Sequence, residues 1–312
     1  RPGGAGPGGA PSGRLQGVEQ EGEKTMGKIV IVGSGPAGCS AALYAARAGQ
    51  EVVVISMGMG ALSKAELIQN YYGFEEGITG AELYRRGVAG AKAVGAEFIT
   101  AEVVGLDYTG SLVVQTTAGD YPADAVILAT GTGRIAPKIA GLAEHEGRGV
   151  SYCATCDAFF YRGKTAAVLG SGEYALHEVQ ALLPLAGKVI LCTNGEPLTA
   201  DFPEGVEICT EKLAAVEGKE KVSALRLENG ELLPADGLFV ALGVAGSAAL
   251  ARKLGAPVEN GRIVVDERMQ TGIPGLYAAG DCTGGLLQVC KAVYEGALAA
   301  TEAIKMLRGK KR

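Results

Sequence analysis

The stretch Lys28-Ile29-Val30-Ile31-Val32-Gly33-Ser34-Gly35-Pro36-Ala37-Gly38 decides the fold of this 312-residue chain. Its apolar run from Ile29 to Val32 is typical of a buried parallel strand. A glycine-rich turn follows, and the alanine-rich segment from it to about Ala48 predicts a helix. Strand, G-x-G-x-x-G turn and helix in this order predict a dinucleotide-binding βα unit, rather than a turn with a structural role only.

The residues of this turn have separate physical roles. Gly33 permits the tight turn, Gly35 lets the backbone approach a pyrophosphate, and Gly38 lets the helix pack close to the strand. Pro36 suits a first helical turn because its missing N–H is not needed there. The helix N-terminus is expected to bind the pyrophosphate through free N–H groups and the helix dipole. Ser56 follows the next strand where an acidic residue often holds the ribose, so that contact is predicted to be weak.

A second glycine-rich turn, Gly170-Ser171-Gly172-Glu173-Tyr174-Ala175, follows the apolar strand 166–169. The helix after it is expected to end before Pro184. Glu173 puts a carboxylate at the helix start, where nucleotide phosphates would bind, and Tyr174 is bulky for that position. This turn is therefore predicted to bind a nucleotide poorly.

The strand after this helix, Lys188–Cys192, ends in Thr193-Asn194-Gly195. No arginine occurs between Arg162 and Arg226 to pair with a nucleotide phosphate, and no acidic residue ends the strand to bind a ribose. The segment 193–232 is also too short and too rich in turn residues for a full helical nucleotide lobe.

Between the two turns lies a pair of cysteines, Cys153-Ala154-Thr155-Cys156-Asp157. Two cysteines with this spacing at the start of a helix can close a disulfide, and the helix N-terminus lowers a thiol pKa. A zinc half-site is the alternative, but neither His145 nor His177 has partner spacing, so no metal is expected. The other cysteines are predicted to be packing residues: Cys39, Cys192, Cys209, Cys282 and Cys290.

Composition excludes several classes of protein. The chain is 47% hydrophobic with 49 glycines and carries a net charge of −5, without a basic stripe for nucleic acid. No apolar run approaches the roughly 20 residues that span a bilayer. Only one close pair among the seven cysteines argues against a secreted disulfide scaffold and favours the reducing cytoplasm. Residues 1–25, rich in Gly, Pro and Ala and then in charges, are predicted to be a disordered tail, with the globular pattern beginning at Met26.

The C-terminal part again shows an apolar strand, a glycine-containing turn and a helix, in the order found around the first turn. Residues 275–281 form a short apolar strand ending in Gly-Asp, and a helix is predicted from about Leu286 to Leu307. The Asp281 carboxylate can accept hydrogen bonds from a ribityl chain. Capping of the following helix is the alternative role.

Together these motifs resemble the low-molecular-weight thioredoxin reductase family over nearly all of residues 28–307. Further matches are the stretches 70–74, 129–131, 149–152 and 288–289. The resemblance implies an α/β fold with two dinucleotide-binding-type three-layer domains, the second inserted into the first. The FAD-binding domain is expected at 26–137 plus 244–312, and the inserted domain with the CxxC at 138–243. Hinges are expected near 131–133 and 243–246, and a homodimer is expected.

The resemblance also implies roles for individual residues. Cys156 is expected against the flavin ring, Cys153 as the interchange partner and Asp157 as the acid/base, although sequence alone does not fix the order of the cysteines. The residues implied to contact FAD are Gly33, Ser34, Gly35, Pro36, Ala37, Gly38, Asn70, Thr130, Gly131, Asp281, Gln288 and Val289.

The electron donor is where the chain departs from most of that family. Its NADPH users carry a His-Arg-Arg motif where this chain has Thr193-Asn194-Gly195. The pattern is similar to the ferredoxin-dependent flavin thioredoxin reductases, which implies electrons passing singly from ferredoxin to FAD, then through the dithiol to thioredoxin. Three alternatives stay open: an NAD(P)H-dependent reductase, a dithiol oxidase using oxygen, and a non-catalytic redox sensor.

Overall fold

The computed structural model describes residues 27–131, 138–243 and 245–309. The predicted tail at 1–25 and parts of both predicted hinges lie outside the described residues. Up to residue 128 the elements are β1 (Lys28–Val32), α1 (Pro36–Arg47), β2 (Glu51–Ser56), α2 (Gly80–Ala93), β3 (Glu97–Thr100), β4 (Val103–Tyr108), β5 (Leu112–Thr116), β6 (Gly119–Ala123) and β7 (Ala125–Leu128).

The rest of the chain repeats this plan and then returns to the first sheet. The middle elements are β8 (Val150–Ser151), α3 (Ala154–Asp157), β9 (Thr165–Leu169), α4 (Glu173–Leu182), β10 (Lys188–Cys192), β11 (Glu207–Cys209), β12 (Leu213–Glu217), β13 (Ala224–Leu227), β14 (Leu232–Pro234) and β15 (Gly237–Val240). The last are α5 (Ser247–Lys253), β16 (Val258–Glu259), β17 (Arg262–Ile263), β18 (Leu276–Ala278) and α6 (Val289–Gly309).

Two parallel five-stranded sheets organise the molecule. The first has the strand order β18-β7-β1-β2-β3, and the second has the order β11-β10-β9-β15-β8. We call β1–β7 with α1 and α2, together with everything after β15, the first unit. We call β8–β15 with α3 and α4 the second unit. Because β18 pairs with β7, the chain leaves the first sheet, builds the second and comes back.

Each unit has three layers, which side-chain alternation along the strands explains. In β1, Ile29 and Ile31 pack with α1 and α6, while Val30 and Val32 face the antiparallel sheet β4-β5-β6. In β9, Val168 faces α4 and Leu169 faces the antiparallel sheet β12-β13-β14. Both faces of each parallel sheet are therefore buried, as its uninterrupted apolar strands predict.

These elements confirm the predicted fold class, with modest shifts at the ends. The last helix begins at Val289 rather than near Leu286, and the helix after the dithiol is only the four-residue turn α3. Residues 193–232 contain no helix, in agreement with the prediction for that segment. The domain boundaries at 137/138 and 243/244 stay a prediction.

The two units pack tightly against each other. Helices α4 and α5 both lie against β4, so elements of both units contribute to one hydrophobic core. A Cβ added at Gly105 of β4 would lie 2.2 Å from Gln115 Oε1 and 3.2 Å from His177 Cε1 of α4. Gly105 thus makes room for the second unit. In the described part of the chain, no helix has the length and apolar character that crossing a membrane requires.

Candidate functional site

A cavity of about 740 Å³ opens beyond the carboxyl ends of the first sheet's strands. Ligands of parallel α/β sheets bind in this position, and the volume is that of a small-molecule or cofactor site. All residues that the resemblance assigned to FAD except Gly38 line it: Gly33, Ser34, Gly35, Pro36, Ala37, Asn70, Thr130, Gly131, Asp281, Gln288 and Val289.

The geometry of the first turn gives each glycine a distinct role. Gly33 has φ +108°, and a Cβ there would lie 2.3 Å from the Ala129 carbonyl oxygen. A Cβ on Gly38 would lie 1.8 Å from the Gly33 carbonyl oxygen, so Gly38 brings α1 onto the turn without reaching the cavity. A Cβ on Gly35 would meet no atom of the described residues within 4 Å, so among them this backbone is open to a ligand. Because α1 has no side-chain cap, its N-terminus suits a pyrophosphate.

Ser34 contributes its backbone rather than its hydroxyl to the cavity. The side chain is buried, and its Oγ lies 2.7 Å from Ser56 Oγ, 3.1 Å from Tyr84 Oη and 3.2 Å from the Gly58 carbonyl oxygen. Ser56, which replaces the usual ribose-binding acid, is therefore engaged inside the protein. Ser56 still lines the cavity, so the weak ribose contact stays a prediction.

Residues distant in sequence meet at the other end of the cavity. Asn70 Nδ2 donates to Gln288 Oε1 at 2.8 Å across 218 residues. Lys291 Nζ donates to the Gly280 carbonyl oxygen at 2.7 Å, and Arg262 donates to the Asp281 carbonyl oxygen. The Asp281 carboxylate itself makes no hydrogen bond within the described residues, and α6 begins only at Val289, so Asp281 is not the cap of that helix.

Sequence reasoning missed several residues that line the cavity. The segment 57–63, Ala245, Gly246 and Leu287 join it from other elements. Glu102 also lines it, and its Oε1 is buried without a hydrogen-bond partner among the described residues. Burial and then the charge of Glu173 raise the pKa of Glu102, against the opposing effect of the Tyr174 backbone N–H. No local motif marks these positions, because the folding of the first unit brings them together from separate stretches of the chain.

The two cysteines of the CxxC form a disulfide with a Cα–Cα distance of 5.4 Å. Cys153 caps α3, and the Cys156 backbone N–H donates to Cys153 Sγ at 3.1 Å. A donor at this position stabilises a thiolate on Cys153. Cys153 is only 5% exposed, whereas Cys156 is exposed and its sulfur lies 3.6 Å from the Lys253 carbonyl oxygen. Neither cysteine is among the described residues that line the large cavity, so the expected contact of Cys156 with the flavin ring is not formed in this arrangement. A protein substrate here has access to Cys156 and not to Cys153.

Ser151 connects the predicted acid/base to the dithiol. Its hydroxyl donates to Asp157 Oδ2 at 2.6 Å and accepts the Cys153 backbone N–H at 3.1 Å. The Asp157 carboxylate is therefore oriented by a residue that also holds the Cys153 backbone. Strand β8 places Ser151 there, because it ends immediately before the dithiol.

The second glycine turn contacts the segment around Thr199. The Thr199 backbone N–H donates to the Ser171 carbonyl oxygen at 2.8 Å, and a Cβ on Gly172 would lie 3.0 Å from Thr199 Oγ1. Glu173 is in the first turn of α4, as predicted. Tyr174 is buried, and its hydroxyl donates to the Tyr152 carbonyl oxygen at 3.0 Å.

The remaining cysteines differ in exposure, and Cys209 is half-buried. Cys39, Cys192 and Cys282 are buried, in agreement with a packing role. Burial raises the pKa of Cys39 to about 12 and that of Cys282 to about 11. Cys290 is exposed, so the prediction of a packing role is wrong there, because Cys290 lies on the outer side of the first turn of α6. No cluster of three or more possible metal-ligating side chains occurs in the described ranges.

Comparisons with known proteins agree with this architecture. Residues 27–296 match the family model described as pyridine nucleotide-disulphide oxidoreductase. A thioredoxin reductase of Aquifex aeolicus is 35% identical over 91% of this chain and 94% of its own length. The crystal structure of the atypical thioredoxin reductase TRi from Desulfovibrio vulgaris Hildenborough has a TM-score of 0.86 and 41% identity, covering 91% of this chain and 99% of that one.

A ferredoxin-flavin thioredoxin reductase from Clostridium acetobutylicum has a TM-score of 0.70 and 36% identity, with the same coverage of 91% and 99%. These matches span both units and the dithiol between the two turns. The chain therefore belongs to the pyridine nucleotide-disulphide oxidoreductase family and, within it, to the low-molecular-weight thioredoxin reductases, which are FAD-binding flavoproteins.

Proposed function

We propose that this flavin disulfide oxidoreductase takes electrons from reduced ferredoxin and delivers them through FAD and the Cys153–Cys156 pair to thioredoxin. The choice of donor rests on one observation, the contact between the second glycine turn and the segment around Thr199. The segment around Thr199 hydrogen-bonds to the turn at Ser171, and Thr199 Oγ1 would lie 3.0 Å from a Cβ on Gly172. A nucleotide pyrophosphate would share its approach to the backbone N–H groups of α4 with this segment, so we expect it to bind there only weakly.

Charge at the same turn also opposes a nucleotide. Glu173 is in the first turn of α4, and Glu102 of the first unit is close enough for the two carboxylates to interact. Negative groups stabilise a helix N-terminus but repel the phosphates that would bind there. A pyridine nucleotide would therefore bring its own negative charge to a site that already holds carboxylates.

The end of β10 offers no arginine to a nucleotide phosphate. The Lys212 side chain lies against Gly195, but one lysine does not supply the bidentate pairing of an arginine motif. Asn194 Oδ1 accepts the Leu213 backbone N–H at 2.9 Å, and Thr193 is buried. The nearest arginine in the following sequence, Arg226, forms an ion pair with Glu217 at 2.7 Å on β12. The polar groups at this position serve the fold, so they do not replace the missing His-Arg-Arg motif.

Each residue of the dithiol site has a proposed task. Cys153 attacks the thioredoxin disulfide as a thiolate, and Cys156 then resolves the mixed disulfide, releasing thioredoxin with two thiols and closing the Cys153–Cys156 bond. Asp157, oriented by Ser151, holds or moves the proton that the thiols exchange. The residues lining the large cavity hold FAD, which supplies the link between a one-electron donor and a two-electron disulfide.

An NAD(P)H-dependent thioredoxin reductase is the second candidate. It is favoured by the family match across both units and by relatives named simply as thioredoxin reductases. Backbone N–H groups of the second turn would then have to bind the nucleotide after the Thr199 segment moves. The resemblance also leads us to propose that the protein is cytoplasmic and forms a homodimer. Light scattering of the purified flavoprotein tests the dimer.

The function is tested by anaerobic reduction of thioredoxin, with NADPH, NADH or reduced ferredoxin as the donor. We expect turnover with ferredoxin alone and none with Cys153→Ser or Cys156→Ser. Turnover with a nucleotide at a comparable rate would overturn the choice of donor. Ferredoxin-driven turnover that survives both cysteine substitutions would overturn the role of the dithiol.

A further inference from the structure

A buried ion pair joins the second unit to the first beside the dithiol. Lys253, the last residue of α5, donates to Glu178 Oε1 of α4, and each side chain is only 1% exposed. Breaking a buried pair by removing one partner is strongly destabilising, because the other charge stays buried and unpaired. Glu178 and Lys253 therefore hold α4 and α5 together in this arrangement of the units.

The same carboxylate also holds the dithiol segment. Glu178 Oε2 accepts the backbone N–H of Ala154, the residue immediately after Cys153. Burial alone would raise the pKa of Glu178, but His177, Lys253 and the Ala154 N–H together lower it, so the carboxylate is ionised. His177 Nδ1 lies 3.4 Å from Glu178 Oε1. One ionised side chain thus links three elements: the dithiol turn, α4 and α5.

Neighbouring aromatic side chains complete this contact between the units. Lys253 Nζ lies 5.5 Å from the centre of the Tyr174 ring, and the Arg252 guanidinium lies 4.8 Å from the centre of the Tyr152 ring. The hydroxyl of Tyr174 donates to the Tyr152 carbonyl oxygen, one residue before Cys153. The backbone on both sides of Cys153 is therefore held by α4 side chains that are themselves covered by α5.

We propose that Glu178 is a positioning residue for the dithiol, which it fastens to Lys253 and so to the first unit. The inference rests on the proposed role of the Cys153–Cys156 pair. Cys153 is 5% exposed while this linkage is intact, so a protein substrate cannot reach it. The Glu178–Lys253 contact must open for Cys153 to exchange with thioredoxin, and its strength sets how often Cys153 becomes accessible.

The test is alkylation of the chemically reduced holoenzyme, with each cysteine followed by mass spectrometry. The variants are Glu178→Gln, Lys253→Met and the double variant, with Lys305→Met/Glu302→Gln as the control pair within α6. We expect each single variant to speed labelling of Cys153 at least about tenfold, or about 1.4 kcal/mol. The double variant should show a smaller increase than the two single effects combined, because no unpaired charge remains buried. The control pair should leave the rate unchanged.

A purely structural role would give a different result. In that case Cys39 and Cys282, both buried far from this contact in sequence, would be labelled faster along with Cys153. That result, or unchanged labelling of Cys153 in Glu178→Gln, would overturn the proposal. The double variant keeps the test informative if a single variant fails to fold.

A separate measurement, bleaching of the flavin by dithiothreitol, tests the proposed role of the dithiol itself. Excess dithiothreitol should bleach the flavin through the dithiol, and Cys153→Ser/Cys156→Ser should abolish this bleaching. Bleaching at the wild-type rate in that variant would contradict the role of the dithiol, whatever the labelling of Cys153 shows. Slower bleaching in Glu178→Gln, together with faster Cys153 labelling, is the outcome expected when both proposals hold.

Discussion

Two alanine substitutions in the first glycine turn should have opposite effects on stability and on FAD affinity. Gly33 has φ +108°, and its Cβ would lie 2.3 Å from the Ala129 carbonyl oxygen. The left-handed conformation costs about 1–2 kcal/mol for a residue with a Cβ, and an added methyl in filled space costs about 1–3 kcal/mol. We therefore expect Gly33→Ala to lower the free energy of unfolding of the apoprotein by about 2–5 kcal/mol.

Gly35 provides the matched control two residues away. Its φ is −68° and its Cβ would meet no atom within 4 Å in the part of the chain that the structure describes, so Gly35→Ala should change apoprotein stability by less than about 1 kcal/mol. The methyl group would instead stand where the cofactor pyrophosphate approaches. Its cost of about 1–3 kcal/mol corresponds to FAD binding that is about 5- to 150-fold weaker.

The assay is urea unfolding of each apoprotein, combined with titration of FAD by quenching of its fluorescence. Gly35→Ala should separate the two quantities, with stability retained and affinity lost. If Gly35→Ala bound FAD as tightly as the wild type, this turn would not hold the pyrophosphate, and the placement of the cofactor in the cavity would be refuted.

Three further predictions concern the titrating and reactive side chains. Asp157→Asn should slow thioredoxin reduction about 10²-fold or more, because it removes the proposed acid/base, and should leave flavin reduction by the donor unchanged. Stopped-flow measurement of both rates tests this, and an equal loss in the two rates would contradict the role of Asp157. At pH 8, iodoacetamide should label Cys290 in the native protein and spare Cys39 and Cys282, whose pKa values are about 12 and about 11; peptide mass spectrometry reads this directly. Because the pKa of Glu178 is lowered in the folded protein, its ionised form contributes stability that is fully present above the unfolded carboxyl pKa of about 4.3. That contribution is lost as the pH falls through the folded value, so the difference in unfolding free energy between wild type and Glu178→Gln should narrow in acid.

Much of the fold follows from local sequence patterns. The sequence predicts the apolar strands before both glycine turns, and the alanine-rich α1, almost to the residue. Each strand is a short apolar run that ends at a glycine turn, and α1 begins directly after such a turn. The disulfide was predicted from the spacing of its two cysteines. Most residues that the resemblance assigned to FAD line one large cavity, because the resemblance covered whole motifs rather than single residues. The predicted hinges and domain boundaries stay predictions.

The contacts between the units could not be read from the sequence. Glu178 and Lys253 are 75 residues apart, and Glu102 meets Glu173 only because α4 packs on β4. Such contacts depend on how two folded units fit together, and neither helix periodicity nor a short motif encodes that fit. The contact between the Ser34 and Ser56 hydroxyls could not be predicted from the sequence either, because it also depends on the folded structure.

The choice of electron donor is tested most directly by bleaching of the visible flavin band in the purified protein. NADPH, NADH and enzymatically reduced ferredoxin would be mixed with it anaerobically, each in its own cuvette. The carboxylate at the second turn and the missing arginines predict that ferredoxin alone bleaches the flavin at a catalytically useful rate. Bleaching by NADPH or NADH within the mixing time would contradict that account and would assign the protein to the pyridine-nucleotide-dependent reductases.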